Sequence, residues 1–144
     1  MRCLEKPLTP GALVGREPKT ERGIELRIKQ SPIHGRGVFA SGPIHEGASV
    51  ASLTGEPRHY ASFPKDLLLA RGFEVAKDAY IIPDRGSPAW FFNHSSAPNC
   101  QYSIKTREIT ALREISPGEE LTLDYNATTT WEGYGALWKG GTPP

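Results

Sequence analysis

The sequence has few of the features that mark membrane, secreted or metal-binding proteins. Its 144 residues include only two cysteines, Cys3 and Cys100, and no C-x-x-C pair, which argues against a disulfide framework and a zinc cluster. No apolar stretch approaches the ~20 residues that a membrane-spanning helix needs. The opening MRCLEKPLTP lacks the apolar segment of a secretory signal. These absences predict an intracellular protein with no membrane contact and no resident metal.

An excess of charge of one sign is missing as well. Lys and Arg number 17 against 16 Asp and Glu, so no basic field is available for nucleic acid, and direct nucleic acid binding is not expected.

The sequence motifs of two enzyme classes are also absent. The Gly-rich stretch HGRG at 34–37 is not the G-x-G-x-x-G of dinucleotide-binding proteins. Ser95 and Ser96 lack the G-x-S-x-G turn of hydrolases.

Short apolar–polar alternations, separated by Gly and Pro, are what the chain does contain. Residues 1–22 are rich in Pro, Gly and charge, which predicts a flexible tail. From Ile24 onward, short strands are predicted in IELRI, VFAS, ASVASLTG, FEVA, AYIIP, QYSIK, EITALREI and EELTLDY. SFPKDLLLARG predicts a short helix with Ser62 as N-cap and Gly72 at its end, and SPAWFF predicts one turn capped by Ser87. The prediction is a mainly β domain of several small sheets with few short helices, over residues 23–126.

Three segments carry the residues suited to chemistry, and each is ambiguous alone. HGRG at 34–37 is typical of a tight turn or of a backbone that passes close to a ligand. In NHSSAPN at 93–99, the Asn93 amide has donors and an acceptor for a polar ligand, and His94 is a base or a hydrogen-bonding residue. In GEELTLDY at 118–125, Tyr125 shares a strand face with Leu121 and Leu123, which predicts a buried ring and a partnered hydroxyl.

Together and in this order, the three segments resemble the SET-domain family of protein lysine methyltransferases, with a resemblance that covers about residues 24–126. The resemblance implies small β-sheets around a pseudoknot, in which the N-H-S strip and the E-L-x-x-D-Y strand come together. It implies binding of S-adenosylmethionine and methyl transfer to a lysine amine in a protein, for example a histone, a histone-like or a ribosomal protein. The location would be cytoplasmic in a bacterium and nuclear in a eukaryote, and a homodimer remains open.

The resemblance also implies roles for particular residues. Tyr125 matches the catalytic tyrosine, and Leu123 and Tyr80 are assigned to the substrate channel. Because many members have Phe or Tyr where this chain has Leu123, we expect a roomier amine site that permits di- or trimethylation. The residues expected to contact the cofactor are His34, Gly35, Arg36, Gly37, Phe73, Asn93, His94 and Trp131.

The segment after Tyr125 departs from many family members. It lacks the cysteine-rich zinc-binding segment that completes the lysine channel in them, and residues 127–144 carry aromatics instead. We expect Trp131, Tyr134 or Trp138 to close the pocket, and a tail with incidental aromatics is the competing interpretation. The missing segment also leaves open a catalytically weak or inactive SET-like module that binds the cofactor or a protein partner.

Overall fold

The computed structural model describes residues 24–128, and the predicted N-terminal tail and most of residues 127–144 lie outside this range. Within it are ten short strands, one α-helix and three 3-10 turns. The strands are β1 Leu26–Gln30, β2 Arg36–Ala40, β3 Ser49–Ser52, β4 Arg58–His59, β5 Phe73–Ala76, β6 Ala79–Ile81, β7 Asn93–His94, β8 Cys100–Ser103, β9 Glu108–Ala111 and β10 Glu120–Leu123. The helix is α1 Lys65–Arg71, and the turns are η1 Tyr60–Ser62, η2 Pro88–Phe91 and η3 Tyr125–Ala127.

The strands form three small sheets, which confirms the predicted mainly β fold. Their orders are β1-β2-β10-β7, β3-β9-β8 and β4-β6-β5. All pairings are antiparallel except that of β10 with β7. The last strand, β10, therefore lies inside its sheet, between β2 and β7. This order brings the NHSSAPN and GEELTLDY segments next to each other.

The position of β10 explains its burial. Leu121, Thr122 and Leu123 are all buried, because neighbours cover both faces of the strand. Removing one such leucine side chain from water contributes about 1.5–3 kcal/mol. The surrounding core joins all three sheets and includes Leu26, Val38, Ile44, Val50, Val75, Ile81, Phe92, Ile109 and Ile115.

Helix α1 is present where it was predicted, but its start differs. Pro64 occupies the N-cap position and makes no side-chain capping bond, so the prediction of Ser62 as N-cap is wrong. The Ser62 hydroxyl instead donates to the His59 carbonyl at 2.7 Å, within turn η1. The helix ends at Gly72 as expected, and the Gly72 N–H donates to the Leu68 carbonyl. The predicted Ser87 cap of turn η2 is confirmed, since its hydroxyl accepts from the Ala89 N–H.

No helix within 24–128 has the length and apolar character to cross a membrane. Over the same range, no three His, Cys, Asp or Glu side chains are grouped so that they could hold a metal ion.

Candidate functional site

The parallel pairing of β7 with β10 builds the site. It places Asn93 opposite Thr122 and His94 opposite Leu123. The Ser95 N–H extends the pairing by donating to the Leu123 carbonyl at 2.9 Å. The NHSSAPN and GEELTLDY segments, whose paired residues are 29 positions apart in the sequence, therefore lie side by side.

Asn93 joins this pair of strands to the Gly-rich loop. Its Nδ2 donates to the His34 carbonyl at 3.0 Å, to the Arg36 carbonyl at 3.2 Å and to Glu120 Oε2 at 2.8 Å. The residue is only 2% exposed. The amide nitrogen thus holds the chain's own oxygens, whereas Asn93 Oδ1 makes no side-chain hydrogen bond within residues 24–128. That buried oxygen suits a ligand with an N–H or O–H donor.

The two glycines of the loop have different tasks. Gly35 has a φ of +46° with open space where a side chain would stand, so the loop needs glycine there for its backbone conformation. Gly37 is needed for its size, because a Cβ there would lie 2.1 Å from Glu120 Oε2. The Glu120 carboxylate therefore rests directly against the loop backbone.

A serine hydroxyl also hydrogen-bonds to the Glu120 carboxylate. The Ser31 hydroxyl lies 2.8 Å from Glu120 Oε1 and 2.9 Å from Oε2. The same hydroxyl accepts from the Ile33 N–H at 2.9 Å, at the start of the Gly-rich loop. Ser31, Asn93 and Glu120 thus bring three distant segments to one place.

Tyr125 lies just beyond the end of β10, in turn η3, with 7% of its surface exposed. Its hydroxyl donates to the Phe92 carbonyl. Its backbone N–H donates to His94 Nδ1 at 3.1 Å, and the two rings meet edge to face at 5.3 Å. Because Nδ1 accepts this bond, we assign the proton of the neutral imidazole to Nε2. Asp124 Oδ1 lies 3.8 Å from Nδ1.

Burial raises the pKa of Tyr125, and the negative charge of Glu120 adds to that effect while the Arg71 cation opposes it. The hydroxyl is therefore neutral at physiological pH and acts as a hydrogen-bonding group.

A cavity that is partly open to solvent lies beside Tyr125, and its empty space, including the part that opens to solvent, is about 240 Å³. Its walls are mostly apolar, with one cation, and are formed by Leu69, Ala70, Arg71, Gly72, Phe73, Ala89, Trp90, Phe92, Tyr125 and Thr128. Arg71 Nη1 donates to the Trp90 carbonyl at 2.5 Å, and its guanidinium lies over the Trp90 ring, 4.9 Å from the centroid. Burial lowers the pKa of Arg71, which is the cost of placing this cation in an apolar wall.

The structure brings most of the predicted site residues together. The loop at 34–37 contacts Asn93, His94 contacts Tyr125, and Phe73 lines the cavity beside Tyr125. Tyr80 and Leu123 are buried at 2% and 1% exposure, and neither is in the wall of this cavity. Trp131, Tyr134 and Trp138 lie outside the described residues.

Sequence reasoning did not single out Ser31 or Arg71, and it gave Glu120 and Trp90 no role in contacting the cofactor or the cavity. Glu120 was visible inside the GEEL segment, but nothing there distinguishes it from Glu119, which pairs with Arg113 at the surface. Ser31 and Arg71 have no motif around them, so only the three-dimensional contacts reveal them.

Comparison with known proteins decides the family. The profile of the SET domain matches residues 35–126. The chain belongs to the SET-domain family. It is 35% identical over 117 residues to the histone-lysine N-methyltransferase trithorax of Drosophila virilis, a match that covers 68% of this chain. It is 31% identical over 122 residues to an H3 lysine-4 specific histone-lysine N-methyltransferase of Emericella nidulans, covering 74% of this chain.

These curated relatives are far longer than the SET-domain chain described here. The matches span 3% of the trithorax protein and 10% of the H3 lysine-4 specific enzyme. Among solved structures, a chain described as a histone methyltransferase of Plasmodium falciparum superposes with a TM-score of 0.58 at 18% identity, covering 74% of this chain and 99% of that one. That superposition supports the SET fold of the three small sheets.

Proposed function

We propose that the chain transfers the methyl group of S-adenosylmethionine to the side-chain amine of a lysine in a protein substrate. The observation that carries this proposal is the buried Tyr125 hydroxyl at a mostly apolar cavity, held beside the Asn93–His94 strand of a SET domain. Both curated relatives described above are named histone-lysine N-methyltransferases. When bound, the cofactor supplies an electrophilic methyl group on a sulfonium centre.

The residues present fit that cofactor. Its amino group requires acceptors, and the carbonyls of His34 and Arg36, the Glu120 carboxylate and the buried Asn93 Oδ1 are clustered together. Gly35 leaves open space at the same loop. We assign the loop 34–37, Asn93 and His94 to the cofactor, with Phe73 as an aromatic wall.

Tyr125 acts by orientation rather than as a base. Since burial raises its pKa, its hydroxyl stays protonated and directs the amine through hydrogen bonding, together with the Phe92 carbonyl. The target lysine must itself be neutral to react, and its ordinary pKa is about 10.4. An apolar wall and the nearby Arg71 cation both disfavour the ammonium form, so they favour the reactive amine.

A histone, or another protein with an accessible basic segment, is the substrate class that we propose. The names of the curated relatives support a histone, and the sequence leaves histone-like and ribosomal proteins as further candidates. Leu123 and Tyr80 remain predicted channel residues, and Trp131 remains a predicted cofactor contact. With Leu123 at its position, di- or trimethylated product is expected.

The test begins with calorimetric titration of the full chain with S-adenosylmethionine, followed by methyl transfer to histone and ribosomal proteins read by mass spectrometry. Tyr125→Phe removes only the hydroxyl that orients the amine. We expect it to retain cofactor binding and to lose about 100-fold or more in turnover, as misplacement of a reacting group does. The same spectra report how many methyl groups are added. Tyr60→Phe, an exposed tyrosine in turn η1, is the matched control and should behave as wild type.

Three other results have distinct meanings. Cofactor binding without turnover on any of these substrates would favour the inactive SET-like module. Absence of cofactor binding by the wild-type chain would contradict the proposed function. Full activity of Tyr125→Phe would remove Tyr125 from the mechanism while leaving the reaction in place.

A further inference from the structure

We propose that Glu120 is the anionic partner of the cofactor's amino group and that it determines the preference of the site for the amino-acid end of the cofactor. This inference rests on the proposed function, because it names a specificity-determining residue of the same site. It assigns to the carboxylate a task beyond holding the loop in place.

The position of the carboxylate is the first support. Glu120 Oε2 and the carbonyl oxygens of His34 and Arg36 all lie within 3.2 Å of a single nitrogen, Asn93 Nδ2. That nitrogen has only two hydrogens for three oxygens. With the Ser31 hydroxyl, the side-chain donors supply three hydrogens, and the cluster has four oxygens when both oxygens of Glu120 are counted. The carboxylate can therefore accept a further donor, in the part of the fold assigned to the cofactor.

The missing counter-charge is the second support. Within residues 24–128, no Lys, Arg or His nitrogen pairs with Glu120, whose polar partners are the neutral Ser31 and Asn93 side chains. A partly buried carboxylate without a cation loses hydration and gains no ion pair in return. Glu119, its neighbour in sequence, does have a cation, with Arg113 at 2.8 Å.

The chemistry of the ligand is the third support. The amino-acid end of S-adenosylmethionine carries an ammonium with three N–H donors, which matches a cluster of one carboxylate and neutral oxygens. Its carboxylate would be repelled by the same cluster. The open space at Gly35 and the exposure of the loop 34–36 leave the cluster accessible from solvent.

The competing interpretation is that Glu120 only ties Ser31 and Asn93 together. In that case the ammonium of the ligand would not matter to a change at Glu120. Comparing a ligand that has the amino group with one that lacks it separates the two interpretations, and it needs no turnover.

The experiment is calorimetric titration of the full chain with S-adenosylhomocysteine and with S-adenosyl-4-thiobutyrate, the analogue that lacks only the amino group. Glu120→Gln keeps the size and hydrogen-bonding capacity of the side chain but removes the charge. We expect it to weaken binding of S-adenosylhomocysteine by about 10- to 100-fold, the effect of losing a hydrogen bond to a charged group. Binding of the deaminated analogue should change by less than about 3-fold, within ordinary mutational scatter. Glu119→Gln is the matched control and should affect neither ligand.

The outcomes also separate this inference from the proposed function. If wild type binds both ligands equally, or if Glu120→Gln weakens both equally, the inference is overturned while cofactor binding stands. If wild type binds none of these ligands, the proposed function and the inference fall together.

A second variant protects the test if Glu120→Gln does not fold, which thermal melting would reveal. Ser31→Ala keeps the charge but removes the hydroxyl that positions both carboxylate oxygens. We expect a loss of about 3- to 10-fold for S-adenosylhomocysteine alone, the size of one neutral hydrogen bond. An unchanged preference for the aminated ligand in Ser31→Ala would overturn the inference.

Discussion

Gly37 shows how one missing side chain shapes the site. A methyl group at this position would stand where Glu120 Oε2 now lies, so the carboxylate could not keep its bonds to Ser31 and Asn93. We expect Gly37→Ala to lower the free energy of unfolding by about 1–3 kcal/mol, as overpacking of a filled site does. Urea denaturation followed by circular dichroism measures this change, and cofactor affinity should fall with it.

The control for this substitution is Gly42→Ala. Among residues 24–128, no atom lies within 4 Å of a Cβ added at Gly42, and this glycine has no left-handed φ. The stability of Gly42→Ala should therefore stay within about 0.5 kcal/mol of wild type. Equal effects of the two substitutions would show that the contact with Glu120 does not constrain position 37.

At the residue scale, the sequence motifs predicted which residues lie near one another better than they predicted which atoms those residues contact. Asn93 is predicted to contact the cofactor, and the structure adds that its Nδ2 donates to two carbonyls of the chain's own Gly-rich loop. No sequence pattern indicates this contact, because it joins segments more than 50 residues apart. The sequence did not distinguish Glu120 from Glu119 for a related reason. Period-2 alternation distinguishes inward from outward residues only in a strand with one exposed face, and β10 is buried on both sides.

At the scale of the element, the Asn99 side chain bonds to the backbone of β10 in the way that a paired strand would. Its Nδ2 donates to the Glu120 carbonyl at 2.8 Å, and its Oδ1 accepts from the Thr122 N–H at 2.9 Å. Asn99→Ala would leave a buried N–H and a carbonyl unsatisfied, so we expect a loss of about 2–4 kcal/mol in the free energy of unfolding. Chemical denaturation provides the measurement.

Asn126→Ala is the comparison for this substitution, because Asn126 is exposed and, within residues 24–128, is bonded only through its backbone N–H, to Asp124. If Asn99→Ala lowers the free energy of unfolding no more than Asn126→Ala does, water hydrogen-bonds the Glu120 carbonyl and the Thr122 N–H as well as the Asn99 amide does.

Elements with a clear alternation of apolar and polar residues were predictable from the sequence. The two-residue strands and the end of β10 were not. The alternation of Ile24, Leu26 and Ile28 indicated β1 correctly. Strands β4 and β7 have two residues each, which is too few for any periodicity, and their pairing partners define them. Tyr125 was expected to continue the face of β10, but the strand ends at Leu123, where the Asp124 side chain caps turn η3.

At the scale of the whole molecule, a buried thiol and a half-buried tyrosine hydroxyl lower the free energy of unfolding at high pH. Burial raises the pKa of the Cys100 thiol from 9.0 to about 12 and that of the Tyr102 hydroxyl from 10.0 to about 12. In the unfolded chain both groups lose their protons at the lower values, so unfolding releases protons above pH 9.0. We therefore expect the free energy of unfolding to fall as the pH rises from 9 to 12, by about 3 kcal/mol from Cys100 and by a smaller amount from the half-buried Tyr102.

Urea denaturation at pH 7.5, 9 and 10.5 tests this expectation. Cys100→Ala should be less stable at pH 7.5, because it leaves a cavity, but its stability should decline less as the pH rises. A wild-type profile that is flat to pH 10.5, or two parallel profiles, would contradict the role of the buried thiol.

The arrangement of the sheets was the part least available from local sequence. The motif resemblance implied a pseudoknotted fold, and the family comparison confirms the SET domain. Neither the order β1-β2-β10-β7 nor the parallel register of Asn93 with Thr122 has a local signature, because both depend on contacts between distant segments. Alternation along one strand indicates which residues are buried, but not which strand covers them.

The insertion of β10 between β2 and β7 has a consequence for how the protein is made. During synthesis, β2 emerges from the ribosome more than 80 residues before β10, and it must wait for the strand that covers it. Closing so long a loop is entropically costly and slow, so the sheet is completed near the end of folding. Because Glu120 and Tyr125 arrive with β10 and the turn after it, a nascent chain lacks the proposed site until this last part of the fold is in place.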